Sequence, residues 1–447
     1  MTVGRYPMAS AREVAVLTLD ACRRQGAWSD GYLKRALREQ KLDRREAALA
    51  TRLCFGVLQN QMLLDWYLSQ FSRLPLEKLE SRVLCILRVA VYQLLFLDKI
   101  PPSAAVNEAV KLARAHSRNP RTAGMVNGIL RAMLRQMPLP QPEGADGVDS
   151  LSIRTSHPRW LVESFIRLQG LQGAQALLEA DNLGAPITVQ VNLCRTSARE
   201  LRERLEWEGV TARLHPWMPQ CLVLEGTGSL EALPSFQQGL FYVQDCAARL
   251  AVTAAGLEPG SRVLDCCAAP GGKSFAAAID LADQGEVVCC DIHPHKIKLL
   301  EAGIDRLGLR SLRPTLQNAS QTRQVWLEGF DTVIADVPCS GLGIIRKKPD
   351  IRYKAPKPLE QLPAVQSRIL ACNAGYVKRG GVLVYSTCTL LQRENENVVR
   401  GFLAERPDFS LEAFDLPHWG RQEGMVTFWP HIHDTDGFFI AKLRRER

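Results

Sequence analysis

Along the first third of the chain, apolar residues recur every three or four positions, which predicts helices over residues 49–71, 79–97, 103–115 and 121–134 with basic residues on their polar sides. Ser10-Ala-Arg-Glu13 has the form of a capping box, with Ser10 capping a helix and Glu13 reaching back. Val14, Leu17 and Ala21 then recur on one face. The most hydrophobic run, residues 83–97, is broken by Arg88 and falls short of the ~20 residues a membrane span needs. It predicts a buried central helix. Pro138, Pro140, Pro142, Gly144 and Gly147 mark a linker. Residues 156–165 open a further helix. The period then shortens to two over residues 187–192, a strand, followed by a helix over 196–207 with Ser197 and Glu200 as a second S-x-x-E cap. Strands over 210–214 and 221–225 complete a small α+β module. His157 and His215 stand alone and are expected to be structural.

The stretch from Ser261 to Ser274 departs from these patterns. Residues 263–267 read as a short buried strand, Pro270-Gly271-Gly272 as a tight turn, and residues 273–282 as a helix. Strand, glycine turn and helix open a doubly wound α/β sheet, and the helix N-terminus offers unpaired N–H groups to an anion or carboxylate. The next strand, residues 286–290, ends in Asp291, at about the spacing from the turn at which an acid meets a ribose hydroxyl. A phosphate-cradling loop would have a glycine where Cys267 stands, and no G-x-G-x-x-G turn is present. S-adenosylmethionine, with a ribose and a carboxylate but no phosphate, fits this turn.

Charge divides the chain. Residues 1–138 hold 22 Lys and Arg against 11 Asp and Glu, whereas the rest holds 34 against 36. A basic domain joined to a near-neutral one suggests a polyanion held by one part and processed by the other. Arg114, Arg118, Arg121, Arg131 and Arg135 cluster late in the basic part with only Glu108 to offset them, which favours RNA binding over a merely solvated face. Thirteen cysteines without a C-x-x-C pair argue for reduced thiols in a cytoplasmic compartment and against a zinc site; no metal is expected. Cys266-Cys267 and Cys289-Cys290 read as small strand residues. Residues 1–10 carry no apolar core, so neither a signal peptide nor a membrane span is expected.

Two more strands end in chemistry. Residues 333–336 run into Asp336-Val337-Pro338-Cys339-Ser340-Gly341, and residues 381–386 into Thr387-Cys388-Thr389. Ligands bind beyond the carboxyl ends of such strands, so both thiols, Asp336 and the glycine turn should converge there. Methyl transfer to carbon explains two thiols. C5 of a pyrimidine is too weak a nucleophile until a thiolate adds at C6, and a base must later remove the C5 proton. Asp336 is placed to hydrogen-bond the polar edge of cytosine and to stabilise charge building at N3. A nucleophile above the ring requires an unstacked base, hence single-stranded or flipped nucleic acid. Spacing does not say which thiol attacks.

Asp265-Cys-Cys-Ala-Ala-Pro-Gly-Gly-Lys273, Asp336-Val-Pro-Cys-Ser-Gly341, Ser386-Thr-Cys-Thr389 and the closing Gly437-Phe-Phe-Ile-Ala-Lys-Leu443 resemble the motifs of RNA cytosine-5 methyltransferases of the RsmB/Sun (Fmu) family. Ile100-Pro-Pro-Ser-Ala-Ala-Val-Asn-Glu-Ala-Val110 and Met125-Val-Asn-Gly-Ile-Leu130 resemble the helical domain of NusB-type RNA-binding antitermination factors. The resemblance implies small-subunit (16S) ribosomal RNA as substrate, Cys388 as nucleophile and Cys339 as assisting product release. It also implies cofactor contacts at Cys267, Ala268, Ala269, Pro270, Gly271, Gly272, Lys273, Asp291 and Asp336. One departure is Asn318, an amide where the family has an acid near the adenine; an amide can still donate and accept. Arg346, Lys347 and Lys348 follow the Cys339 loop and are expected on RNA phosphates. The expected organisation is an all-helical NusB-like RNA-binding domain over 1–138, a linker over 139–150, a helix plus small α+β module over 151–235, and a Rossmann-like α/β methyltransferase domain over 236–447. The chain is expected to be a monomer. A tRNA substrate, or a non-catalytic ribosome-assembly role, remain the alternatives.

Overall fold

The computed structural model describes residues 10–142 and 146–446. The reading of residues 1–10 and of Gly144 in the linker therefore falls, apart from Ser10, outside the described residues. The chain divides into two compact units, Met1–Asn182 with Lys348–Lys354, and Leu183–Lys347 with Ala355–Arg447.

The first unit is helical. Arg44–Phe71, Ser81–Phe96, Pro102–His116 and Thr122–Arg135 match the four expected helices closely, and Ala11–Gln25 and Ser29–Gln40 precede them. Ser81–Phe96 is buried from Val83 to Gln93, as this apolar run requires. The charge within its buried stretch, Arg88, is tolerated because Nε and Nη2 both reach Asp65, at 2.7 and 2.6 Å. Ser10 caps the first helix by accepting from the Glu13 N–H at 3.2 Å, but the reciprocal arm of the capping box is absent. The Glu13 carboxylate meets His116 Nε2 at 2.8 Å instead, a stronger partner supplied by tertiary structure.

The first compact unit runs past the proline-rich stretch. Asp146 caps a helix, Gly147–Thr155, so the end of the proline-rich stretch is ordered structure, and Arg159–Ala180 follows within the same unit. His157 is buried here, its Nδ1 2.8 Å from the Thr155 carbonyl, in keeping with a structural role. Lys348–Lys354 completes the unit through Arg352, which is fully buried and donates to the carbonyls of Gln59 and Thr155 and to Asn182 Oδ1 at 2.7–3.3 Å.

The second unit opens with a four-stranded antiparallel sheet: β1 Ile187–Val191, β2 Thr211–Leu214, β3 Cys221–Glu225 and β4 Phe241–Val243, in the order β2-β3-β1-β4. Helix Ala198–Trp207 carries the complete capping box, Ser197 and Glu200 each binding the other's backbone N–H. The module thus extends to β4, beyond residue 235.

The larger sheet contains β5 Arg262–Asp265, β6 Glu286–Asp291, β7 Leu312–Leu316, β8 Phe330–Asp336 and β9 Val377–Thr387, all parallel. After β9 come β10 Phe409–Leu411, a small hairpin of β11 Phe414–Leu416 and β12 Gly420–Gln422, then β13 Met425–Phe428 and β14 Phe438–Arg445. The order is β10-β14-β9-β8-β5-β6-β7, with β13 also on β14 and the strands beyond β9 antiparallel. Successive residues point to opposite faces: Val263 and Val287 pack with Phe275 and Leu300, whereas Leu264 and Val288 pack with Ile369 and Phe402. Both faces are covered by helices, which explains why these strands read as continuous apolar runs. Strand order reverses between β5 and β8, so their carboxyl ends form the crevice in which such sheets bind ligands.

Candidate active site

The turn after β5 is shaped by two glycines. Gly271 has φ 115°, a conformation a side chain rarely adopts, and a Cβ there would lie 2.3 Å from the Phe275 ring. A Cβ on Gly272 would stand 3.1 Å from Gln244 Nε2. Helix Gly272–Asp280 starts at this turn, leaving its first N–H groups directed at the crevice. Two buried oxygens beside it, Asp265 Oδ1 and Gln244 Oε1, have no hydrogen-bond partner among the described residues. The cradle and its unused acceptors fit a small ligand with N–H or O–H groups and a carboxylate. Asp265 is fully buried and accepts from Ser274 Oγ at 2.7 Å; burial pushes its carboxyl up to about 6 against that bond.

Asp291, at the end of β6, is buried. Its Oδ1 accepts from the His293 N–H at 3.0 Å and its Oδ2 lies 3.4 Å from Lys296 Nζ. Asn318 follows β7, and its Oδ1 accepts from the Ser320 N–H at 2.9 Å. Cys267, Ala268, Ala269 and Pro270 form the chain between β5 and the turn; Ala268 is tied to β6 by a 2.7 Å bond from its N–H to the Cys290 carbonyl. Cys266, Cys289 and Cys290 are buried in the sheet core as expected, while Cys267 is partly open.

Lys273 turns from the helix toward β8, its Nζ 2.7 Å from Asp336 Oδ2 and over the Phe438 ring. Burial alone would lower this ammonium, but Asp336 outweighs it and holds Lys273 above its ordinary value. Asp336 Oδ1 accepts from Ser386 Oγ at 2.8 Å, joining β8 to β9 just before the second cysteine.

The two thiols meet. Cys339 Sγ and Cys388 Sγ are 3.1 Å apart, on loops leaving adjacent parallel strands. The sulfur contact and burial, with the nearby Glu394 and Asp336 carboxylates, hold Cys339 well above the usual thiol range. Either thiol can donate to the other across this contact.

The basic residues divide. Arg114, Arg118 and Arg121 are exposed and form no ion pair among the described residues, and Lys348 is exposed in the first unit. Arg346 and Lys347 are engaged otherwise. Arg346 is buried with Nε 3.3 Å from Asp436 Oδ1, and Lys347 Nζ lies 2.7 Å from both Asp245 Oδ2 and Asp436 Oδ2. These cations fasten the Cys339 loop to carboxylates rather than standing free for phosphates. Sequence reading gave no site role to Asp245 or Asp436, and it placed Ser386 only within the motif that ends β9.

Similarity to known proteins agrees with this geometry. Residues 252–444 match the family described as 16S rRNA methyltransferase RsmB/F, residues 157–231 the RsmF/B-like ferredoxin-like domain, and residues 9–135 the NusB family. The chain is 35% identical over 446 residues to a probable ribosomal RNA small subunit methyltransferase B of Bacillus subtilis, covering 98% of this chain and 99% of that one. The chain belongs to the RsmB/F methyltransferase family. A ribosomal RNA small subunit methyltransferase B of Klebsiella pneumoniae is 34% identical, over 92% of each chain. The crystal structure of PH0851 has the same fold, with a TM-score of 0.82 and 24% identity over 99% of this chain and 100% of that one. Membership makes the chain a methyltransferase of that family, and the match over residues 9–135 makes their helices a NusB-type domain. No helix among the described residues is long and apolar enough to cross a membrane.

Proposed function

We propose that this RsmB/F-family enzyme methylates C5 of a cytosine in small-subunit (16S) ribosomal RNA, with S-adenosylmethionine as donor. The observation that carries this reading is the 3.1 Å contact between Cys339 and Cys388 beside the Lys273–Asp336 pair. One thiol suffices for addition; a second beside it suits a reaction that must also remove a proton and expel the first.

Cys388 Sγ adds to C6 of the flipped base, and negative charge develops on the ring toward N3. Asp336 accepts from the exocyclic amine while Lys273 balances the growing charge. Bound at the Gly271-Gly272 turn, S-adenosylmethionine supplies an electrophilic methyl group. Asp291 takes the ribose hydroxyls, the helix N-terminus the carboxylate, and Asn318 the adenine side. Once C5 carries the methyl group, Cys339 in its thiolate form takes the C5 proton, the electrons of that C–H bond restore the C5–C6 double bond, and Cys388 leaves as a thiolate. Arg114, Arg118 and Arg121 hold RNA phosphates; the names of the relatives, rRNA small-subunit methyltransferases, support the substrate.

Bisulfite sequencing of ribosomal RNA from cells with and without the gene tests this. One protected cytosine of the small-subunit RNA should become convertible in the deletion and be protected again by the wild-type chain. A full set of protected positions in the deletion would contradict the proposal.

A further inference from the structure

Both cysteine loops are held from behind by one dipeptide, Glu394-Asn395, which lies beyond the Cys388 loop and before helix Glu396–Glu405. Glu394 is fully buried, and its Oε2 accepts from the Ser340 N–H and from Gln366 Nε2, both at 2.9 Å. The same Gln366 amide donates to the Pro338 carbonyl at 3.0 Å. Pro338 and Ser340 are the residues on either side of Cys339. Asn395 does the same for the other thiol. Its Oδ1 accepts from Thr387 Oγ1 at 2.6 Å and its Nδ2 donates to the Thr389 carbonyl at 2.9 Å, so the residues on either side of Cys388 are both tied to it. Two cross-links complete the frame: Ser340 Oγ and Thr389 Oγ1 are 2.7 Å apart, and Tyr385 Oη donates to the Glu394 carbonyl at 2.6 Å.

A buried carboxylate is costly unless its charge is used, and here it is spent on one backbone N–H and one amide. A hydrophobic residue would fill the same space without that cost but could not orient the loop. We propose that Glu394 and Asn395 are positioning residues that set the distance between the two thiols. Neither side chain touches either sulfur by a hydrogen bond; each fixes the backbone on both sides of one. Because the two residues are consecutive, a shift of one loop is transmitted to the other, and the sulfurs stay in register through addition and elimination. Errors of about 1 Å at a reacting centre cost rate steeply. The consequence for catalysis rests on the cysteine mechanism proposed above, whereas the distance itself does not.

The test therefore reads the distance without catalysis. Phenylarsine oxide condenses with two neighbouring thiols, forming two arsenic–sulfur bonds and releasing one water, and a single thiol holds it far more weakly. The full-length wild-type protein should take up one equivalent that Cys388→Ser does not. Glu394→Ala and Asn395→Ala should lose this uptake by tenfold or more in affinity while binding S-adenosylmethionine within twofold of wild type by calorimetry. Gln366→Met, which removes only the link from Glu394 to Pro338, should give a smaller loss and serves where the other variants fold poorly. With RNA, kcat should fall about a hundredfold with KM for the donor unchanged. Wild-type arsenical uptake in all three variants would overturn the clamp, and so would loss of donor binding in all three, since the residues would then merely maintain the fold. Loss of uptake in the variants of a protein that methylates no cytosine would uphold the clamp and refute the proposed reaction.

Discussion

Lys273, on the first turn of the helix after the glycine loop, and Asp336, at the end of β8, are joined by a 2.7 Å ion pair that links the donor side of the crevice to the cysteine side. Asp336→Asn removes the carboxylate in direct contact with this buried ammonium. Leaving a buried charge unpaired costs several kcal/mol, discounted here to about 2 kcal/mol because the Asp336 side chain is 30% exposed. Turnover should fall about a hundredfold or more. Urea unfolding and single-turnover methylation would measure both; wild-type turnover in Asp336→Asn would remove Asp336 from the chemistry.

Asp265 gives a pH prediction. Its folded carboxyl is raised by burial to about 6. The native state therefore binds more protons than the unfolded chain between about pH 4 and 6, and this group's contribution to stability falls as pH rises through that window. The loss amounts to about 3 kcal/mol for a shift of about two pH units. Asp265→Asn keeps an acceptor for Ser274 but has no such titration. Stability of wild type relative to Asp265→Asn, from urea midpoints at pH 4 to 7, should fall across the window; parallel curves would show that Asp265 is not raised.

The legibility of this chain in its sequence was set by distance. Helices with a 3.6 period and strands β5 and β6 could be read because their signals are local. The site could be placed because doubly wound sheets bring Asp291, Asp336, Cys339 and Cys388 to one edge. Pairings made across long separations could not be read. Lys347 finds Asp245 and Asp436 at separations of 102 and 89 residues, so its sequence neighbourhood suggested a phosphate contact. Glu13 finds His116 at a separation of 103 and leaves its capping box half formed. Residues 348–354 join the first unit for a similar reason: Arg352 binds residues 59, 155 and 182, which are far apart in sequence.

Arg352 should matter to the first unit as much as any apolar residue. Arg352→Met removes the guanidinium that donates to the Gln59 carbonyl and the Asn182 oxygen, while the Thr155 carbonyl keeps Asn182 Nδ2, at a cost of about 1–3 kcal/mol for each buried bond lost. Limited proteolysis should cut the variant within residues 348–354 well before wild type. Equal cleavage rates would show that this anchor contributes little.

Arg114, Arg118 and Arg121 offer a binding test. Replacing all three with Ala should reduce the slope of log K against log salt by about 2, at ~0.7 per phosphate on a single strand. Filter binding across a salt series would show it, and an unchanged slope would make these arginines bystanders.

The central claim is that the two thiols share one reaction in different roles, and a denaturing gel tests it most directly. Each variant is incubated with S-adenosylmethionine and unmodified small-subunit ribosomal RNA. Cys339→Ala should add and methylate but stall before elimination, giving a slowly migrating protein–RNA adduct. Cys388→Ser should give neither adduct nor product. An adduct in Cys388→Ser with none in Cys339→Ala would reverse the roles, and full turnover by both variants would contradict covalent catalysis at C6 altogether.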